Sequence, residues 1–198
     1  VLTWNVSDKV NRLSAQVPED ADWTVADNMN AVCQEVRRLK PDVVTLQECQ
    51  SGEALPELCA DYGFVGAALS HCGFVHLYVG KRLVSSELTP PVKDGAPLVG
   101  ATVCHPGRFE ADVVAAHLPA GEDRGKERLR ILETLRPLLG RGRAVVLAGD
   151  FNVQPDEFVA WCNRFKLAEA GYDGLSWNPG KCRYDLPLES GAWPRARK

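Results

Sequence analysis

Between Gly63 and Leu118 the chain alternates five short apolar runs, at 63–69, 73–79, 82–88, 98–104 and 109–117, with turn formers at Gly73, Gly80-Lys81, Pro90-Pro91 and Pro106-Gly107. Runs of this length are strand-sized and show little helical periodicity, so the middle of the chain predicts antiparallel hairpins. Helical signals lie on either side. Val25, Met29, Val32, Val36 and Leu39 recur at gaps of 4, 3, 4 and 3, one apolar stripe at the helical period. Thr24 is a candidate N-cap, Arg37, Arg38 and Lys40 suit the C-terminal end, and Pro41 closes the helix. Leu129, Leu132, Leu135 and Leu138 predict a second helix over 128–139, and Pro155 opens a third, to Phe165.

Three further strands are predicted: residues 2–6, the β-branched run 42–47, and Ala144-Val145-Val146-Leu147-Ala148. The opening order is therefore strand, helix, strand. A chain of 198 residues buries roughly 70% of its unfolded surface, which predicts one domain over 1–198. The 23 basic and 26 acidic residues give a net charge of −3, so no global field draws in a polyanion and any nucleic-acid contact must be local. No apolar run reaches the length of a membrane span, and no basic, cleavable leader precedes Trp4. Seven cysteines, an odd number without a Cys-x-x-Cys, read as reduced thiols in the core. With the missing leader, they predict an intracellular protein, nuclear or cytoplasmic. His71-Cys72 and Cys104-His105 are weak zinc candidates, because adjacent strand residues face opposite ways.

Chemistry concentrates where strands end. Leu147-Ala148-Gly149-Asp150-Phe151-Asn152 runs an apolar strand into two polar side chains two positions apart, which predicts that both address one substrate at the sheet's edge. The same residues are also ordinary turn formers. Glu48 follows Leu46-Gln47 and carries an oxygen donor suited to a hard cation, unless it is merely solvated. Asn5 follows Leu2-Thr3-Trp4, and His117 follows Val113-Val114-Ala115-Ala116. Arg37-Arg38-Lys40 and Arg141-Arg143 read as helix-end and loop charges.

In order, Trp4-Asn5, Leu46-Gln47-Glu48, Ala116-His117-Leu118 and Gly149-Asp150-Phe151-Asn152 resemble the endonuclease/exonuclease/phosphatase superfamily of deoxyribonuclease I, abasic-site endonucleases and deadenylases. Within it, Leu2-Thr3-Trp4-Asn5-Val6, the Glu127-Arg128 helix, Ser176-Trp177 and Arg183-Tyr184-Asp185 resemble most the 5′-tyrosyl-DNA phosphodiesterases. The resemblance implies an α/β (α+β) four-layer sandwich, two mixed β-sheets flanked by helices, and a Mg²⁺- or Mn²⁺-dependent phosphodiesterase acting on nucleic acid, a DNA end or RNA. It implies that Glu48 holds the metal, with Asn5 orienting that carboxylate or a metal-bound water, that Asp150 orients and deprotonates the attacking water that Asn152 helps hold, and that His117 donates to a non-bridging phosphate oxygen. Trp177 would stack on a terminal base, or pack as core.

Two departures bear on that reading. The Ser-Asp-His segment that the resemblance implies near the C-terminus has no counterpart after Arg183, and no histidine follows His117. The expectation is a C-terminally truncated domain lacking its last strand or strands, or one that has lost a catalytic group. Gln154 stands where the tyrosyl-DNA branch is expected to carry an arginine, which removes a phosphate clamp. A catalytically impaired binding module of the same fold, and a phosphatase or phosphodiesterase of small or lipid phosphates, are the alternatives to a nuclease.

Overall fold

A computed structural model of the chain describes residues 1–6, 25–88 and 95–168. Two compact units are distinguishable, 1–157 and 158–198. The first unit holds eight strands in two four-stranded sheets, and the described part of the second is most of one helix with the turn after it.

The first sheet is built from β1 (Leu2–Asn5), β2 (Val43–Cys49), β3 (Tyr62–Ser70) and β4 (Gly73–Gly80), in the order β1-β2-β4-β3. The second is built from β5 (Val84–Glu87), β6 (Leu98–His105), β7 (Phe109–His117) and β8 (Ala144–Asp150), in sequence order. Both sheets are mixed. β1 runs parallel to β2 and β7 parallel to β8, whereas the remaining pairs are antiparallel. Parallel neighbours need a crossover, supplied by helix α1 (Val25–Leu39) in one sheet and by α2 (Gly125–Glu133) and α3 (Arg136–Leu139) in the other. Parallel partners also end at one edge, so each sheet delivers two strand C-termini together.

Alternation along the strands assigns the layers. Val44, Leu46 and Tyr78 face α1 and pack with Val32, Cys33 and Val36. Val43, Val75, Leu77 and Val79 face the second sheet and meet Ala101, Val103, Val113 and Ala115. The predicted short strands are all present within one or two residues of their expected ends.

Three expectations are corrected. The helix predicted over 128–139 begins earlier, at Gly125, and breaks into α2 and α3, since Pro137 has no N–H for an intrahelical bond and occupies the first turn of a new helix. Arg141 and Arg143 are not solvated loop charges. Arg143 Nη1 donates to Oδ1 of Asp112 at 3.0 Å, and Arg141 Nη1 lies 3.5 Å from Oδ2. Asp112 is fully buried on β7 and also accepts from Thr102 Oγ1 at 2.8 Å. Finally, the cysteines are not uniformly core. Cys33 and Cys49 are buried, Cys59, Cys104 and Cys162 are half-buried, and Cys72 is exposed on the β3–β4 turn; Cys182 lies outside the described residues.

Helix α4 (Pro155–Phe165) begins at the predicted proline and carries Asp156 and Glu157 in its first turn, where the helix dipole favours them. Among the described residues no helix is long and apolar enough to cross a membrane.

Candidate active site

The two parallel pairs bring Asn5 and Glu48 to the C-terminal edge of one sheet, and His117 and Asp150 to that of the other. Asn5 is in register with Gln47 on β2, and His117 with Asp150 on β8. Asn5 joins the sheets. Its amide nitrogen donates one hydrogen to Glu48 Oε1 at 2.9 Å and the other to Asp150 Oδ2 at 3.0 Å. His117 Nε2 lies 3.8 Å from the same Glu48 oxygen. Four of the predicted residues thus meet, though more than forty positions separate any neighbouring pair in sequence except His117 and Asp150, which are 33 apart.

Glu48 reaches this place by an irregularity. The β2–β4 register slips between Leu46 and Cys49, and Glu48 takes a φ of 60°. A left-handed conformation costs a residue with a Cβ about 1–2 kcal/mol, and such strain gathers where a side chain must be re-aimed. Opposite it, Gly73 has a φ of 108°, and a Cβ there would stand 2.7 Å from the Cys49 carbonyl oxygen.

Asn152 arrives differently from expectation. β8 ends at Asp150, and Asn152 has a φ of 47°, so strand alternation does not aim it. Its backbone N–H donates to Asp150 Oδ1 at 3.0 Å, while its side-chain amide donates to the Leu118 carbonyl at 3.0 Å. It therefore fixes the Asp150 carboxylate and ties the chain after β8 to the chain after β7. Gly149, just before, has a φ of 145° and runs so close to β7 that a Cβ would fall 1.9 Å from the Ala116 carbonyl oxygen.

Sequence reasoning passed over Ser70 and gave His71 and Arg128 no part in this site, reading His71 as a weak zinc candidate with Cys72 and Arg128 as part of a helix that carries the resemblance. Ser70 Oγ lies 3.0 Å from His117 Nδ1, and the His71 ring packs on the His117 ring at 4.7 Å. A serine and histidine beside a two-residue hairpin turn were the available signal. Arg128 is fully buried on α2 and donates to the carbonyls of Pro119 and Gly121 at 2.8 and 2.7 Å and to Glu157 Oε2 at 2.6 Å. It pins the loop that leaves His117. Trp177, Ser176 and Arg183-Tyr184-Asp185 lie outside the described residues.

Burial holds the His117 imidazole below the ordinary histidine range; Asp150 and Glu48 oppose that shift and His71 adds to it. Among the described residues no lysine or arginine forms an ion pair with Glu48 or Asp150. Two carboxylates joined through one neutral amide are an oxygen donor set with uncompensated negative charge, which fits a hard divalent cation. Among the same residues no three or more histidine, cysteine, aspartate or glutamate side chains form a closed metal cage, so water would have to complete the shell.

The profile of the Endonuclease/Exonuclease/phosphatase family matches residues 2–193, and the chain belongs to that family. Its members are usually hydrolases of phosphodiester bonds, and its enzymes generally use divalent metals. Among solved structures, the chain resembles a humanized D. rerio TDP2 at 20% identity and TM-score 0.56, with 80% of this chain and 69% of that one covered. It resembles D. rerio TDP2 complexed with single-strand DNA product at 21% identity and TM-score 0.56, over 80% and 63%. The human Nocturnin catalytic domain with bound sulfate gives 16% identity and TM-score 0.58, over 82% and 68%. The chain thus spans about two thirds of the length of these structures, and likenesses at such identity bear on the fold. No curated protein sequence matches.

Proposed function

We infer that the chain is a Mg²⁺- or Mn²⁺-dependent phosphodiester hydrolase acting on nucleic acid, with 5′-tyrosyl-DNA ends as the substrate to test first. The observation that carries this reading is the single Asn5 amide bonded to both Glu48 and Asp150, with His117 beside them. A DNA product bound to a similarly folded TDP2 supports the choice of substrate.

Bound at Glu48, the metal would supply Lewis-acid neutralisation of the phosphate. Asp150 has both oxygens engaged, by the Asn152 N–H and by Asn5, so its orientation is set before substrate arrives. From there it accepts the proton of the attacking water. His117 faces the same point and, protonated, donates to a non-bridging oxygen as negative charge builds there. Asn5 keeps Glu48 and Asp150 at a fixed spacing, and Asn152 holds the water's base while its own amide braces the Leu118 carbonyl. Trp177 is proposed as the base-stacking residue.

A second reading has its own support. ANGEL2, described as a 2′,3′-cyclic phosphatase in complex with adenosine-2′,3′-vanadate, shares the fold at TM-score 0.52. That favours a small cyclic or monoester phosphate as the alternative substrate, and a non-catalytic binding module remains the outcome if no phosphate ester is cleaved.

The test compares the parent and Asp150→Asn on an aryl phosphodiester, a 5′-tyrosyl oligonucleotide and a nucleoside 2′,3′-cyclic phosphate, under Mn²⁺, Mg²⁺ and EDTA. Metal-dependent cleavage that falls about 10²- to 10⁴-fold in Asp150→Asn is expected. Equal rates for the two proteins would overturn the assignment of the base, and no cleavage of any of the three by the folded parent would overturn the hydrolase reading.

A further inference from the structure

The hairpin joining β3 to β4 crosses from the first sheet to His117, the last residue of β7. Ser70 closes it. The hydroxyl donates its one hydrogen to the Gly73 carbonyl at 3.0 Å and lies 3.4 Å from the Cys72 N–H, which donates to it. A hydroxyl has a single hydrogen and two lone pairs. With that hydrogen spent inside the hairpin, Ser70 Oγ can only accept at its contact with His117 Nδ1, 3.0 Å away.

We propose that Ser70 is the positioning residue of His117, fixing its imidazole as the Nδ1–H tautomer and presenting Nε2 to Glu48, 3.8 Å away. His71, next along the hairpin, packs its ring on that of His117, with the ring centres 4.7 Å apart. Free imidazole side chains favour a hydrogen on Nε2, so the assigned tautomer is one the protein must impose. The same contact serves both protonation states, since Nδ1 carries a hydrogen in neutral histidine of this tautomer and in the imidazolium. Ser70 thus holds the ring while Nε2 alone changes between acceptor and donor. This assignment deepens the hydrolase reading and rests on it only for its catalytic consequence.

A second histidine supplies an internal contrast. His76 is fully buried on β4, with Nε2 2.6 Å from the Ser51 carbonyl and Nδ1 3.0 Å from the Tyr78 hydroxyl. A carbonyl only accepts, so His76 carries its hydrogen on Nε2, the opposite tautomer.

Long-range ¹H–¹⁵N spectra of histidine-labelled protein distinguish the two. The four histidines of the chain are assigned by single His→Gln variants and read at about pH 8, above the ordinary histidine range. The parent should show Nδ1–H for His117 and Nε2–H for His76. Ser70→Ala should move His117 toward Nε2–H without changing His76, and should lower kcat about tenfold with KM kept, the worth of about one hydrogen bond. Ser70→Thr, which keeps the hydroxyl, should restore both. An Nε2–H His117 in the parent, or a His117 tautomer indifferent to Ser70→Ala, overturns the assignment whatever the activity. The expected tautomers in a protein that cleaves no phosphate ester support it and overturn the hydrolase reading instead.

Discussion

The parallel pair β7–β8 carries a carboxylate problem at each end and solves it in opposite ways. Near the start, Asp112 is buried but answered by Thr102, Arg143 and Arg141. Desolvation pushes its carboxyl up, and the hydrogen bonds from Thr102 and Arg143 with the two guanidinium charges outweigh it, leaving the group below the usual carboxylate range. At the far end, Asp150 and Glu48 share one neutral amide. The first arrangement is electrically complete within the protein and contributes stability. Among the described residues the second has no lysine or arginine to answer it, and that is where a divalent cation fits.

The largest contrast should appear when each end loses a charge. Glu48→Gln is expected to lower metal-dependent hydrolysis at least about 10²-fold, because Lewis-acid stabilisation worth several kcal/mol loses its anchor. Its melting temperature in EDTA should not fall, since a repulsion between carboxylates is relieved. Asp112→Asn should do the reverse, keeping the rate while costing about 2 kcal/mol of unfolding free energy, as charged hydrogen bonds are lost. Urea denaturation and initial rates on the two variants read both effects, and a Glu48→Gln that unfolds more easily in EDTA would erase the distinction between the ends.

Metal titration should sharpen the comparison by a smaller margin. Anything that binds only the folded chain stabilises it by mass action, about 1.4 kcal/mol at a tenfold excess over Kd. Mn²⁺ should therefore raise the melting temperature of the parent and of Asp112→Asn, and leave Glu48→Gln where it was.

The smallest effect is one of pH. A carboxyl held lower in the folded than in the unfolded chain binds fewer protons when folded, so its stabilisation is complete above the unfolded value, about 4, and drains away as pH falls through the folded one. Acid titration of stability should be shallower in Asp112→Asn than in the parent. An identical slope would remove Asp112 from the account.

Much of this was legible in the sequence because turn residues punctuate strands so regularly here. Gly73, Gly80-Lys81 and Pro106-Gly107 bound β4, β6 and β7 as read, and the polar residues after the apolar runs marked Asn5, Glu48, His117 and Asp150. What was hidden depends on partners distant in sequence. A lone aspartate inside Ala111-Asp112-Val113-Val114 hinted at a buried charge, but nothing local said that Arg141 and Arg143 would answer it. The slip in β2 that turns Glu48 is invisible to a two-residue period, and so is the route of Asn152, whose backbone has already left the strand. Leucine periodicity carried the second helix across Pro137, where backbone chemistry overruled the apolar pattern. Ser70 reads as an ordinary hairpin residue until a strand of the other sheet is laid beside it.

The bridge made by Asn5 has a mechanical side. Glu48 hangs from one sheet and Asp150 from the other, so the spacing between them is a gauge of the sandwich's thickness at that rim. Heat, pressure or a wedge-shaped ligand that parts the layers by a fraction of an ångström strains the hydrogen bond from Asn5 to Asp150 at the place where chemistry would occur, long before the apolar interior is wetted. Such a protein should fall silent while still folded.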